Sequence, residues 1–154
     1  MRRATVADLD TVISLRIALL REYADHPIYG RLRDDAEARA RPVFEQQLLQ
    51  MDQAIFLAAR DGHIAGIARA VDSKGSPLLM PDRYCYVTSV YVKPDDRRHG
   101  VLTALMTSVE EWASRRGLTE MRLHNSTTTA ATRAAWDQLG FRINEEVRLK
   151  QIGR

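Results

Sequence analysis

The chain reads as an α/β domain, a mixed sheet with helices on its faces, and three features of the sequence predict it. Residues 84–92 are rich in Tyr, Val and Thr and lead through a short basic turn, Arg97-Arg98-His99-Gly100, into a helical apolar pattern. Two further strand-like runs, AIFLAAR and HIAGIARAV, flank Asp61-Gly62, a pair that favours a two-residue type I′ hairpin. Another strand pattern at 120–125 follows the helix, and strand, helix and strand joined this closely imply a right-handed parallel crossover.

Taken in order, residues 1–6 suit a short edge strand. Thr5 and Asp8 have capping-box spacing and open a helix with Leu9, Val12, Ile13, Ile17 and Leu20 on one face, ending near Tyr23 to His26. Pro27 and Gly30 mark a loop. A second helix is expected over 35–51, with Val43, Phe44, Leu48 and Met51 as its apolar side and Pro42 as a kink or restart. The hairpin strands and the loop SKGSPLLMPD follow, then a strand at 83–92 that Pro94 stops, because proline has no N–H to offer a ladder. Val101, Leu102, Leu105, Met106, Val109, Trp112 and Ala113 share one face of the next helix, and Gly117 supplies its C-terminal cap. A strand at 120–125, a helix at 129–139 and strand-like residues at 141–152 complete the expected order β-α-α-β-β-β-α-β-α-β-β.

With 154 residues, 45% of them hydrophobic, the chain is expected to be one domain, 1–154, around a single core. Its first residues, MRRATVADLD, carry no apolar leader, and no run approaches the roughly 18 to 20 apolar residues of a membrane span. A cytoplasmic protein without membrane contact is expected. Cys85 is the single cysteine, which excludes an intramolecular disulfide and a thiolate cluster, and the histidines lack HExxH-like spacing, so no metal is expected. A net charge of +3, from 23 basic and 20 acidic residues, is a weak pull on anions. No basic stripe interleaved with aromatics argues for nucleic acid. Cys85, in a strand without a basic neighbour, and Trp112 read as core residues.

The chemistry points to the turn before the third helix. A helix that begins near Gly100 presents N–H groups with no intrahelical partner and the positive end of its macrodipole, with Arg97 and Arg98 beside it. A pyrophosphate is stabilised at such a place.

These residues resemble the GCN5-related N-acetyltransferases (GNAT), over essentially the whole chain. Arg97-Arg98-His99-Gly100-Val101-Leu102 is similar to that family's pyrophosphate signature, Arg/Gln-x-x-Gly-x-Gly/Ala. Trp136-Asp137-Gln138-Leu139-Gly140-Phe141 resembles its downstream Tyr-x-x-x-Gly-Phe. The resemblance implies the GNAT acyl-CoA N-acyltransferase fold, acetyl-CoA as co-substrate, and transfer of acetyl to a small-molecule or peptide primary amine by direct attack in a ternary complex. It implies that the strands at 84–92 and 119–125 splay to admit pantetheine, whose amides pair with the backbone of Val90, Tyr91 and Val92. The N–H near Val90 would polarise the thioester carbonyl, and Arg97, Arg98, His99, Gly100, Val101, Leu102 and Thr103 would form the pyrophosphate cradle. Asn125 and Trp136 are further expected coenzyme contacts, and Tyr23, His26 and Tyr29 line the loop that shapes the acceptor pocket. A homodimer is reasonable for such a protein.

Two departures stand out. Leu102 replaces a small residue, which is harmless if it turns to the core with Leu105 and Met106. Trp136 stands where many relatives carry a Tyr that protonates the departing thiolate, and an indole N–H has no such acidity. Tyr84, Tyr86, Tyr91 and Ser126 are possible replacements, although alternation puts Tyr84 and Tyr86 on one face and Tyr91 on the other unless a bulge intervenes. The strand carries no carboxylate to act as base, which leaves His124, Glu22, Asp25 or His26. An alternative is a non-catalytic acyl-CoA-binding sensor of the same fold.

Overall fold

A computed structural model describes residues 1–125 and 129–153. They group into two compact units, one spanning Met1–His124 and the other starting at Asn125. The first unit carries a five-stranded sheet in the order β1 (Arg2–Arg3), β2 (Gln53–Arg60), β3 (His63–Lys74), β4 (Arg83–Val92), β5 (Met121–Leu123). β1 to β4 pair antiparallel, and β4 and β5 pair parallel across the helix between them. The hairpin forms as expected: Asp61 and Gly62 have φ of 49° and 82°, the double positive φ of a type I′ turn.

α1 (Leu9–Glu22) and α2 (Ala36–Leu49) cover one face of this sheet. The capping box holds, with Thr5 N–H donating to Asp8 Oδ2 at 2.8 Å, and Arg2 braces the same carboxylate. Leu9, Val12, Ile13 and Ile17 are buried against Ile55, Leu57, Ile67 and Tyr91. The apolar side of α2 differs from expectation. Phe44 is buried and Leu48, Ala36 and Ala40 pack beside it, whereas Val43 is 48% and Met51 87% exposed. The stripe that faces the core advances in steps of four residues from 36, which leaves 43 and 51 off it. Pro42 lies within the helix without ending it.

α3 (Val101–Arg115) packs on the opposite face, burying Leu105, Val109 and Trp112. A side chain at Gly66 of β3 would meet Leu105 and Val101 of that helix, while the neighbouring Ile67 points to the α1 side. Gly117, at φ 74°, closes α3: Leu118 N–H donates to Ala113 O and Gly117 N–H to Ser114 O, the paired bonds of a Schellman cap. Cys85 is fully buried, and burial pushes its thiol up to about 11, so it is an inert core residue.

In the second unit α4 (Ala130–Gln138) is capped by Thr129, whose hydroxyl accepts from Thr132 N–H at 3.3 Å. The strands expected at 141–152 are absent among the described residues. Ile143 and Val147 stay 78% and 73% exposed. Their alternation suits a strand, but a strand needs a neighbouring backbone to complete its ladder, and a lone hairpin is only marginally stable.

Candidate active site

Three local departures from regular structure build the site. The first is a bulge in β4. Ile67 and Arg69 of β3 stand opposite Tyr91 and Thr88, so Ser89 and Val90 together face the single Ala68. Ser89 takes φ 59°, a left-handed conformation that glycine usually supplies in such bulges. The extra residue shifts the alternation, and Tyr91 now shares the α1 face with Tyr86 and Thr88. Ser89 is buried with its hydroxyl lacking a hydrogen-bond partner.

The second is the early end of β5, which pairs only with Cys85, Tyr86 and Val87. Among the described residues no strand pairs with Thr88–Val92 on that side, so the outer edge of the bulge stays available to an added strand, apart from Val92 O, which accepts from Arg97 Nε.

The third is the turn into α3. A 3-10 turn at Pro94–Asp96 leads to Arg98 at φ 61° and Gly100 at φ 76°. Gly100 is the N-cap of α3 and so offers no capping side chain, and no acidic residue follows in the first turn. The first intrahelical bond runs from Ala104 N–H to Gly100 O, and a Cβ at Gly100 would meet nothing within 4 Å. The N–H groups of Val101, Leu102 and Thr103 thus precede the first intrahelical bond and lie next in sequence to Arg98 and His99, both exposed. Leu102 is half-buried.

Arg97 points elsewhere. Its Nε donates to Val92 O at 3.0 Å and its other arm meets Glu22 Oε1 at 2.5 Å, with the guanidinium 5.9 Å from the Tyr91 ring. Arg97 thus ties the end of α1 to the edge of β4, and Glu22 is held in an ion pair. Asp96 is 3% exposed and receives Arg60 at 3.0 Å and His63 at 2.8 Å, both from the hairpin of β2 and β3. The hydrogen bond from His63, then that from Arg60, holds this carboxyl below its usual range, and its charge is compensated beside the start of α3. Nothing in the sequence pattern marks this clamp, because its partners lie more than thirty residues apart.

On the α1 side of the sheet, Tyr86 Oη and His124 Nδ1 lie 2.9 Å apart with their rings edge to face. His124 follows β5 directly, so the parallel register of Tyr86 with Arg122 brings it into reach. Burial raises the Tyr86 hydroxyl pKa, with Tyr29 as the next contribution. Burial likewise raises that of Tyr91, followed by the Glu22 charge. The expected acceptor loop is an aromatic cluster: His26 stacks on Tyr29 at 4.7 Å and meets Tyr23 edge-on at 6.1 Å. His26 Nδ1 accepts from the N–H of both Ile28 and Tyr29, so that nitrogen is occupied. Gly30 is obligatory in this loop, since a Cβ there would lie 2.2 Å from Ala24 O.

Of the remaining expected residues, Tyr84 lies under the Arg122 guanidinium at 4.0 Å, and Asp25 is exposed in the loop. Ser126 lies outside the described residues. Asn125 opens the second unit. Trp136 stands at the third position from the end of α4 and packs edge-on against Phe141 at 5.4 Å, while Phe141 N–H donates to Trp136 O and Gly140 takes φ 85°. The Leu-Gly-Phe ending is thus a Schellman helix stop in which Trp136 provides the apolar partner. Among the described residues no cluster of metal-ligating side chains occurs, and no helix is long and apolar enough to cross a membrane.

Comparison with known proteins agrees with this geometry. The acetyltransferase (GNAT) family profile matches residues 17–141. The chain is 31% identical over 112 residues to an aminoglycoside N(6')-acetyltransferase type 1 of Klebsiella aerogenes, covering 64% of this chain and 74% of that one. Its fold is that of an acetyltransferase from Clostridium acetobutylicum solved with acetyl-CoA, at TM-score 0.78, 19% identity and coverage of 97% and 94%. It also matches an aminoglycoside 6'-N-acetyltransferase from Acinetobacter haemolyticus, at TM-score 0.75, 23% identity and coverage of 99% and 97%. A bulged strand with an open edge, an uncapped helix start after a basic turn and a family match across both agree on one assignment: the chain belongs to the acetyltransferase (GNAT) family and is an acetyl-CoA-dependent N-acetyltransferase.

Proposed function

We propose that the whole chain, 1–154, acts as one transferase domain that moves acetyl from acetyl-CoA to a small primary amine by direct attack in a ternary complex. The observation that carries this reading is the open edge of β4 at Thr88–Val92 leading straight to the uncapped first turn of α3. The residues present suit the coenzyme: donors with no internal partner, an unobstructed Gly100, and compensated acidic charge at Asp96.

Acetyl-CoA supplies the acyl carbon, whose bond to sulfur breaks as its bond to the amine nitrogen forms. The backbone of Val90, Tyr91 and Val92 pairs with the pantetheine arm as a substitute strand, and the Val90 N–H at the bulge is aimed at the carbonyl oxygen that gains charge. Amides from Arg98 to Thr103 hold the diphosphate, Arg98 and His99 adding side-chain donors. Arg97 acts one step back, fixing α1 to β4 through Glu22. Tyr86 and His124 carry the protons. With its proton on Nδ1, His124 donates to Tyr86 Oη and accepts the amine proton at Nε2, while the Tyr86 hydroxyl proton passes to the departing sulfur. As the Tyr86 proton leaves, the His124 Nδ1 proton moves across the 2.9 Å contact to Tyr86 Oη, so both groups end neutral with the imidazole proton now on Nε2, exchanged with water before the next turnover; this relay takes over the role that Trp136 cannot fill. Tyr23, His26 and Tyr29 form the wall against which the acceptor sits.

Titration calorimetry with CoA against the wild type and Gly100→Pro tests this directly. Proline fixes φ near −65°, incompatible with 76°, so the variant should lose at least tenfold in affinity while far-ultraviolet dichroism stays unchanged. Absence of wild-type binding at high micromolar CoA overturns the assignment of the cradle.

A further inference from the structure

Two arginines interrupt the apolar interior beside the Tyr86–His124 pair. Arg16 lies on the inward face of α1, one turn after Val12 and Ile13, and Arg69 lies in the middle of β3 opposite Ile55 and Thr88. Arg16 Nε is buried without any hydrogen-bond partner, and the guanidinium rests 5.4 Å from the Phe44 ring. Arg69 donates from Nε and from one terminal nitrogen to Gln53 Oε1, at 2.9 and 2.6 Å, a neutral acceptor. Neither makes an ion pair among the described residues, although most other arginines of the first unit have a carboxylate. Burial, then the charge of Arg69, pulls Arg16 down to about 10; burial also lowers Arg69, with Tyr86 and Asp52 offsetting it at a distance.

Two cations this close, withdrawn from water and given no counter-ion by the chain, leave a vacancy for negative charge. The place of that vacancy follows from its neighbours. Arg69 faces Thr88, two residues along β4 from Tyr86, whose hydroxyl touches His124, and both guanidiniums lie near enough to Tyr86 for its ionised form to raise their pKa values. We infer that the acceptor is an amine that also carries an anionic group, a carboxylate or a phosphate, and that Arg16 and Arg69 bind that group while the amine faces Tyr86 and His124. The inference rests on the acetyltransfer reading above and narrows it. It separates this chain from the relatives named for aminoglycosides, since a polycationic sugar gains nothing from a site that holds two uncompensated guanidiniums.

The test is thiol release from acetyl-CoA with the common α-amino acids and 2-aminoethyl phosphate, each free acid matched to its methyl ester or to ethanolamine, and with an aminoglycoside for comparison. The free anions are expected to have kcat/KM at least tenfold above their neutral partners, and Arg16→Met and Arg69→Met to remove that preference with CoA affinity unchanged. A parallel melting experiment, run with saturating CoA so that the turn before α3 is already occupied, covers acceptors outside the panel: succinate or inorganic phosphate should raise the Tm of the wild type and not that of Arg16→Met. Arg16→Met alone should fold at least as stably as the wild type, because it deletes an uncompensated buried charge, an outcome opposite to that of a structural arginine. Equal rates for acids and esters, preferred turnover of the aminoglycoside, or no anion-dependent gain in either assay overturns the inference. Loss of CoA binding in the wild type would instead strike the acetyltransfer reading itself.

Discussion

Tyr86 and His124 are thirty-eight positions apart in the chain and meet only because β5 lies parallel to β4. If they move protons as a unit, Tyr86→Phe and His124→Asn should each slow acetyl transfer about 10 to 10² fold, and the double variant should be no slower than the worse single one. Steady-state kinetics at saturating acetyl-CoA measures this, and strictly multiplicative losses would show two independent roles. Both residues are nameable from sequence, but only as separate candidates, since no motif encodes a pairing set by register. Arg16 and Arg69 did carry a sequence signal: each is a full charge set among residues that alternate or recur as a buried face. Helical spacing from Val12 and Ile13 puts Arg16 on the inner side of α1, and AGIARAV surrounds Arg69 with apolar neighbours. The Asp96 clamp and the diverted side chain of Arg97 had no such signal, because a basic turn reads the same whichever way its side chains point.

At the scale of elements, the helices, the hairpin and the caps that rest on local chemistry were legible to within a few residues, whereas the edge strands expected at 1–6 and 120–125 shrink to Arg2–Arg3 and Met121–Leu123. Asp61-Gly62, Gly117 and Thr129 act where turn and cap rules put them. The bulge was foreseeable only as a possibility, since Ser89 is neither glycine nor asparagine, the residues that usually announce a left-handed position. That mismatch makes a prediction. Ser89→Gly removes both a left-handed non-glycine residue and a buried hydroxyl with no partner, so it should stabilise the fold by about 1 kcal/mol, read as a higher urea midpoint with an unchanged slope. A lower midpoint would mean that the serine hydroxyl has a partner in solution. The closing strands at 141–152 failed for the converse reason: alternation specifies which face a residue takes, and says nothing about whether a neighbouring ladder exists.

Across the first unit, acidic side chains serve as rivets between elements. Asp8 joins Arg2 to the start of α1, Asp72 of β3 holds Arg83 of β4 and Arg116 after α3, and Asp96 holds the hairpin. Hydrogen bonds from Arg2, Arg83 and His63 respectively are the leading causes that keep all three carboxyls below their usual range. A depressed folded-state pKa means that the stabilisation is complete above the unfolded value of about 3.9 and is lost as pH falls below it. Melting temperature should therefore hold between pH 5 and 7 and drop steeply below about pH 4, and Asp72→Asn should flatten part of that drop. A melting temperature independent of pH down to 3 would dissociate these contacts from stability. The open flank of β4 has a further consequence for handling the protein. A row of unsatisfied ladder groups recruits whatever extended backbone drifts past, another copy included, so if the nucleotide thioester lies along this edge as proposed it should also act as a guard, and light scattering should show more self-association without CoA than with it.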